Sequence, residues 1–204
     1  MRVIGGNFKG RRLKTPTWEG LRPTSDKLRE TLFNILAPRI EGARLLDVYA
    51  GTGAVGIEAI SRGAAHVTFV ERDRRAARLI EQNLAACRIE AADYTIEVGD
   101  AVTVLRRLAP LWRGRHAKAN RDVAGHRPGR AAGVDLVWLD PPYELSNIGD
   151  VLEAAARLLD PGGLLILERA TRRPPDLPGS LALAREVKSG DSTLTFLTLS
   201  NETP

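Results

Sequence analysis

Apolar residues along the chain change their spacing several times, and the changes mark out the elements. Leu28, Leu32, Ile35 and Leu36 recur at helical spacing behind Pro23-Thr24-Ser25. This predicts a helix capped by Thr24 or Ser25 and stopped by Pro38. From residue 44 onward, short apolar runs alternate with amphipathic stretches. Strands are expected at Arg44–Ala50, His66–Val70, Tyr94–Val98, Val134–Leu139 and Leu164–Glu168. Helices are expected between them at Ala54–Arg62, Arg74–Cys87, Ala101–Leu108 and Ile148–Leu159, the last ended by Asp160-Pro161-Gly162-Gly163. Two further runs, Leu181–Lys188 and Ser192–Leu199, flank Gly190-Asp191 and predict a closing hairpin. Ahead of all this, Arg2–Ile4 and Arg11–Lys14 read as two short strands around a glycine-containing turn.

Strands alternating with helices imply a mostly parallel sheet covered on both faces, so the class is α/β. Residues 1–40 read as a basic hairpin-and-helix extension, and residues 41–204 as the Rossmann-like domain. Residues 113–133 fit no element. They hold six Lys/Arg and one large aliphatic side chain, Val123, which predicts a mobile basic loop.

Composition narrows the class of protein. Hydrophobic residues make up 43% of the 204, enough for a core. No apolar run is long enough for a membrane span, and the N-terminus lacks the pattern of a signal peptide. Cys87 is the single cysteine, which points to a reducing, cytoplasmic setting and excludes an internal disulfide. His66, His116 and His126 are scattered without cysteine partners, so no metal site is expected. Net charge is +5, with residues 1–30 and 113–133 each contributing +5 and the rest −5. An acidic body with basic appendages suggests a polyanion held at its edges. Arg11, Arg12, Lys14 and Arg22 are the candidates for that grip.

Chemistry enters with Leu45–Ile60, "LLDVYAGTGAVGIEAI", in which Gly51, Gly53 and Gly56 form G-x-G-x-x-G between a strand and a helix. Glu71 ends the next strand, 20 residues after Gly51, where an acid can accept from ribose hydroxyls. The fingerprint suits either NAD or S-adenosylmethionine (SAM). Asp47 lies on the strand end before the loop, where a carboxylate suits an amine or sulfonium and repels a pyrophosphate. Asp100, at the third strand end, can accept from the adenine amine. Thr52, Arg72 and Ala101 adjoin these residues and complete the candidate cofactor set.

The fourth strand of the alternation ends in Asp140-Pro141-Pro142-Tyr143. In a doubly wound sheet that turn is expected across the switch point from the glycine loop. An exocyclic amine on a base is a poor nucleophile, because its lone pair is delocalised into the ring. The Asp140 carboxylate and the Pro141 carbonyl can each accept one N–H, which directs the lone pair. Pro142 stiffens the turn, and Tyr143 can stack on the base.

D-P-P-Y is carried by amino-methyltransferases acting on adenine, cytosine or guanine. With "RVIGGNFKGRRL", "LRPTSDKLRETLFNIL", "LLDVYAGTGAVGIEAISRGA", "VERD" and "LDPPYE", the chain resembles the RsmD family of bacterial small-subunit rRNA guanine-N2 methyltransferases. The resemblance covers nearly the whole chain. It implies a Rossmann-like class I SAM-dependent methyltransferase fold, a mostly parallel seven-stranded sheet with a C-terminal antiparallel hairpin. It also implies methyl transfer from SAM to the N2 of a guanine in 16S rRNA, on partly assembled small subunits, by an enzyme expected to be a monomer. Carried over, Asp140, Pro141 and Tyr143 hold the base, and Asp47, Gly51, Gly53, Glu71 and Asp100 hold SAM. Residues 113–133 depart from the family pattern, which has a shorter connection there. Three other readings compete: an adenine-N6 methyltransferase, an NAD-dependent dehydrogenase using the same glycine fingerprint, and a non-catalytic RNA-binding factor on the same scaffold. The dehydrogenase predicts a catalytic His or Tyr-Lys constellation, and none is found.

Overall fold

The computed structural model describes residues 1–18, 25–116, 133–143 and 145–200, with side chains in all of these except 113–116. They fall into two compact units, Met1–Asp100 and Ala101–Pro204.

In the first unit, helix α1 (Asp26–Ile40) starts at Ser25, whose hydroxyl accepts from Leu28 N at 3.2 Å. The other predicted cap, Thr24, lies outside the described residues. Leu28, Leu32, Phe33, Leu36 and Ile40 are buried on one face. Pro38 does not stop the helix; it sits inside the last turn. There it removes only its own N–H from the ladder, while burial of Ile40 rewards the extra turn.

Strands β1 (Arg44–Val48), β2 (His66–Glu71) and β3 (Tyr94–Val98) are parallel, in the order β3-β2-β1. β1 and β2 are buried almost throughout, as continuous apolar strands of a covered parallel sheet should be. Helix α2 (Ala54–Ser61) is buried along its whole length. A Cβ on Gly56 would collide with the Phe69 ring of β2. The last glycine of the fingerprint is therefore a helix-to-strand packing residue. Helix α3 (Arg74–Ala86) is capped by Asp73, which accepts from Arg75 N at 2.7 Å.

The N-terminal residues form less ladder than expected. The two predicted strands reduce to a single antiparallel bridge between Arg2 and Arg12, closed around a 3-10 turn at Gly6–Phe8. Val3 N donates to Arg11 O at 3.0 Å, Gly10 N to Val3 O at 2.9 Å and Leu13 N to Met1 O at 3.1 Å across it, while other amides of the segment turn to α2. Ile4 N and Gly5 N both donate to the Glu58 carboxylate of α2, each at 2.7 Å, and Phe8 N donates to Ser61 Oγ at 2.9 Å. Glu58 is fully buried and also accepts from Arg62 Nε at 2.8 Å. Arg29, equally buried, donates to Arg2 O at 2.8 Å and to Asp26 Oδ1 at 2.6 Å. Residues 1–14 are thus tied to the first unit by buried polar contacts.

In the second unit, helix α4 (Ala101–His116) runs eight residues past its predicted end at Leu108, with Pro110 inside it. Leu105 and Leu108 face the core. Residues 113–116 of the expected loop therefore belong to α4, and residues 117–132 lie outside the described residues. β4 (Val134–Leu139) and β5 (Leu159–Ala170) are parallel. β5 then pairs antiparallel with β7 (Ser192–Leu199), and β7 with β6 (Leu181–Ser189), giving the order β4-β5-β7-β6.

Helix α5 (Ile148–Ala156) ends earlier than predicted. Asp160-Pro161-Gly162-Gly163 is an irregularity inside β5, where the register jumps from Val134↔Leu159 to Leu136↔Leu164. Gly162 takes φ +79° there, and the buried Asp160 carboxylate accepts from Gly133 N. The motif that reads as a helix stop is a bulge anchoring the start of β4. Among the described residues, no helix is long and apolar enough to cross a membrane.

Candidate active site

The carboxyl ends of β1, β2 and β3 build a cradle in the first unit. β1 ends at Val48 because Tyr49 turns into the left-handed region at φ 63°. Tyr49 N and Ala50 N both donate to Val70 O, at 3.0 and 3.2 Å. The chain then passes through Gly51 at φ 55° and Gly53 at φ 74°, conformations that L side chains rarely adopt. Gly53 N donates to Ala50 O at 2.7 Å, which closes the loop.

Glu71 holds this loop from the neighbouring strand. Its Oε2 accepts from Gly51 N at 2.9 Å and its Oε1 from Asp73 N, also at 2.9 Å. The side chain is only 9% exposed. Each oxygen retains a second lone pair, so a ligand hydroxyl can still be received. Asp47 is almost fully buried, and its Oδ2 accepts from Gly56 N at 2.9 Å. It supplies from β1 the cap that Gly53, at the helix start, has no side chain to provide. Thr52 is buried and its carbonyl accepts from Asn83 Nδ2 at 3.0 Å. Gly99 N donates to Glu71 O at 3.0 Å and so sets the strand end that leads to Asp100. Asp100 and Arg72 are exposed, whereas Ala101 is buried as the first residue of α4.

Two site residues were not picked out from the sequence. Tyr49 stands within electrostatic reach of both Asp100 and Arg72. Burial, with the Asp100 charge adding to it and Arg72 opposing, pushes its hydroxyl up to about 12. A neutral donor is thereby kept beside the loop. Its only sequence signal is an aromatic between the last strand residue and the first glycine. Asn83 is the second: a fully buried amide on the apolar face of α3, flanked by Leu79, Ile80 and Leu84. The signal was one polar residue out of phase with its helix.

The cradle suits SAM. Its donors and acceptors are carboxylates and a phenol, matched to a ribose diol, an amine and a cationic sulfonium and opposed to a pyrophosphate. The positive-φ glycines leave room for close approach of a ligand to the backbone.

The second unit carries the acceptor turn. β4 ends at Leu139, and Asp140 is half-buried beyond it. Pro141 is buried and Pro142 exposed. The Pro142 carbonyl is committed to Leu145 N at 3.0 Å, which tightens the turn. Tyr143 is 43% exposed, with its hydroxyl 3.1 Å from Ser192 Oγ. Ser192 in turn donates to Glu168 Oε1 at 3.2 Å. The side chain is held at its hydroxyl end and is otherwise partly exposed.

The four candidate RNA contacts differ in their surroundings. Arg11 stacks over the Phe8 ring at 4.9 Å and donates to Cys87 O. Lys14 is exposed, with Nζ 2.9 Å from Gln82 Oε1. Arg12 is exposed and has no side-chain partner among the described residues. Arg22 lies outside the described residues.

Comparison with known proteins extends this geometry. A family model described as conserved hypothetical protein 95 matches residues 1–112 and 103–198. The putative rRNA methyltransferase YlbH of Bacillus subtilis is 34% identical over 193 residues, 93% of this chain and 94% of the relative. Ribosomal RNA small subunit methyltransferase D of Escherichia coli is also 34% identical over 193 residues, 93% of this chain and 85% of the relative. Among solved structures, the putative methyltransferase yhhF of Escherichia coli matches with a TM-score of 0.76 at 28% identity, over 99% of both chains.

Seven strands, a glycine loop clamped by strand-end carboxylates and a D-P-P-Y turn define a Rossmann-like class I SAM-dependent methyltransferase. Within that class, the chain belongs to the RsmD family and is an rRNA methyltransferase.

Proposed function

We propose that this chain methylates the exocyclic N2 amine of one guanine in 16S rRNA, acting as a monomer in the cytoplasm on partly assembled small subunits. The observation that carries the reading is the acceptor turn: Asp140 at the end of β4, two prolines stiffening it, and an exposed Tyr143 held through Ser192.

Glu71, Asp47, Asp100, Tyr49 and the loop Gly51-Thr52-Gly53 would hold SAM, with Arg72 and Ala101 at its margin. SAM supplies an electrophilic methyl group on a sulfonium. The protein's part is alignment. Asp140 and the Pro141 carbonyl accept the two N–H bonds of the amine, so that its lone pair is turned outward. Tyr143 covers the base and excludes water from one side. The turn is preorganised by the prolines and by the Pro142–Leu145 bond, so little reorganisation is left for the reaction itself. Asp140 would also take up the proton that the methylated amine must lose. Arg12, with Arg11, Lys14 and Arg22, would grip phosphates.

The test is transfer of labelled methyl from SAM to small subunits lacking their own guanine-N2 modification, with mass mapping of the product. A single methyl on a guanine N2 is expected. A methyl on adenine N6, or none on any RNA, overturns the reading.

A further inference from the structure

We infer that Asn83 is a positioning residue that couples RNA engagement by the N-terminal arm to SAM affinity. The inference rests on the proposed RNA grip and adds to it a route by which the grip reaches the cofactor loop. That route is one buried amide with three hydrogen bonds. Asn83 Oδ1 accepts from Lys14 N at 2.8 Å, and Nδ2 donates to Lys14 O at 3.2 Å and to Thr52 O at 3.0 Å. Asn83 thus pairs with the Lys14 backbone as a neighbouring strand would, and spends its remaining hydrogen on the glycine loop.

The arrangement has two consequences. First, the amide is fully buried, so water cannot replace either partner. A buried donor or acceptor left unmade is costly, so the two sides favour being satisfied together. Second, the loop is held at consecutive residues by two clamps of different kinds. Glu71 holds the Gly51 amide from β2, within the sheet. Asn83 holds the Thr52 carbonyl, and its amide plane is set by Lys14. Lys14 stands two residues from the exposed Arg12 and one from Leu13, which is buried at 4% exposure. A phosphate drawn to Arg12 acts on a segment whose backbone fixes the amide that fixes the loop. Coupling of this sort is reciprocal: RNA tightens SAM by the same factor by which SAM tightens RNA.

The experiment measures the dissociation constant of S-adenosylhomocysteine, which cannot turn over, with and without a saturating RNA partner, small subunits lacking their own guanine-N2 modification. The wild-type protein should bind it about fivefold or more tightly with RNA present, at the lower end of ordinary coupling. In Asn83→Leu the ratio should fall to near one, whatever the change in RNA affinity itself. Lys14→Pro, at an exposed position, removes the N–H that Asn83 accepts and should also bring the ratio to near one. Lys14→Gln removes only the charge and should weaken RNA binding but keep the ratio. If Asn83→Leu does not fold, the two Lys14 variants decide. RNA binding with a wild-type ratio of one overturns the coupling and leaves the proposed function standing. A ratio that survives both Asn83→Leu and Lys14→Pro overturns the assignment to Asn83. A wild-type protein that does not bind RNA overturns both the coupling and the grip.

Discussion

The carboxylate of Glu71 holds the amide of Gly51 at 2.9 Å, across 20 residues of sequence and from one strand end to the next. With its other oxygen on Asp73 N, Glu71 sets both the glycine loop and the start of α3. Glu71→Gln keeps one acceptor and turns an NH₂ toward the other backbone N–H. SAM affinity should drop about tenfold or more, since a hydrogen bond to a charged group is worth roughly 1.5–3 kcal/mol. Turnover at saturating SAM should hold. Titration calorimetry reads the first and steady-state kinetics the second; unchanged affinity would assign Glu71 to the fold alone.

Asp140→Ala should behave in the opposite way. Methyl transfer should fall by about 10²–10³, the usual loss for one preorganised contact to the reacting group. SAM binding should persist, because Glu71, Asp47 and the loop are untouched. Near-normal turnover in this variant would remove Asp140 from the reaction.

Arg12 and Arg11 should separate. Arg12 is exposed and makes no side-chain contact among the described residues, so Arg12→Glu should weaken RNA binding and flatten its salt slope by about one, without loss of melting temperature. Arg11 stacks on Phe8 and donates to Cys87 O. Arg11→Glu should therefore lower the melting temperature as well. Equal melting temperatures in the two variants would show that the Arg11 contacts carry no stability.

His66 should make the first unit sensitive to pH. Its Nδ1 donates to Ala92 O and its Nε2 accepts from the Thr95 hydroxyl, both at 3.1 Å. Burial lowers its pKa, against the opposing effects of Ala92 O and Asp93 and with Arg44 adding to the shift. The folded state therefore gives up the proton more readily than the unfolded chain. The stabilisation is complete above the unfolded value of about 6.5 and declines as pH falls through it toward the folded value. Melting curves between pH 7.5 and 5.5 should show this decline, and His66→Gln should reduce it. Parallel pH dependence in the two proteins would eliminate His66 as the source.

Much of the molecule was legible before the structure was known. Period-3.6 and continuous apolar runs place five helices and the parallel strands, because burial on one stripe or on both faces leaves a direct imprint on spacing. The glycine loop, Glu71 and the D-P-P-Y turn were legible for a different reason: their chemistry needs particular residue types at fixed local offsets. Tertiary contacts decided the rest. Pro38 and Asp160-Pro161-Gly162-Gly163 read as stops, yet helix α1 runs on past the first and strand β5 passes through the second. Local punctuation is worth a hydrogen bond or two, and buried side chains beyond it outweigh that. The N-terminal hairpin keeps one bridge, and past it the Ile4 and Gly5 amides go to Glu58, 54 residues from Ile4. Asn83 likewise acquires its meaning only when Lys14 and Thr52, 69 and 31 residues away, arrive at its two sides. A buried polar group must find partners wherever the fold brings them, and sequence spacing carries no record of partners so remote.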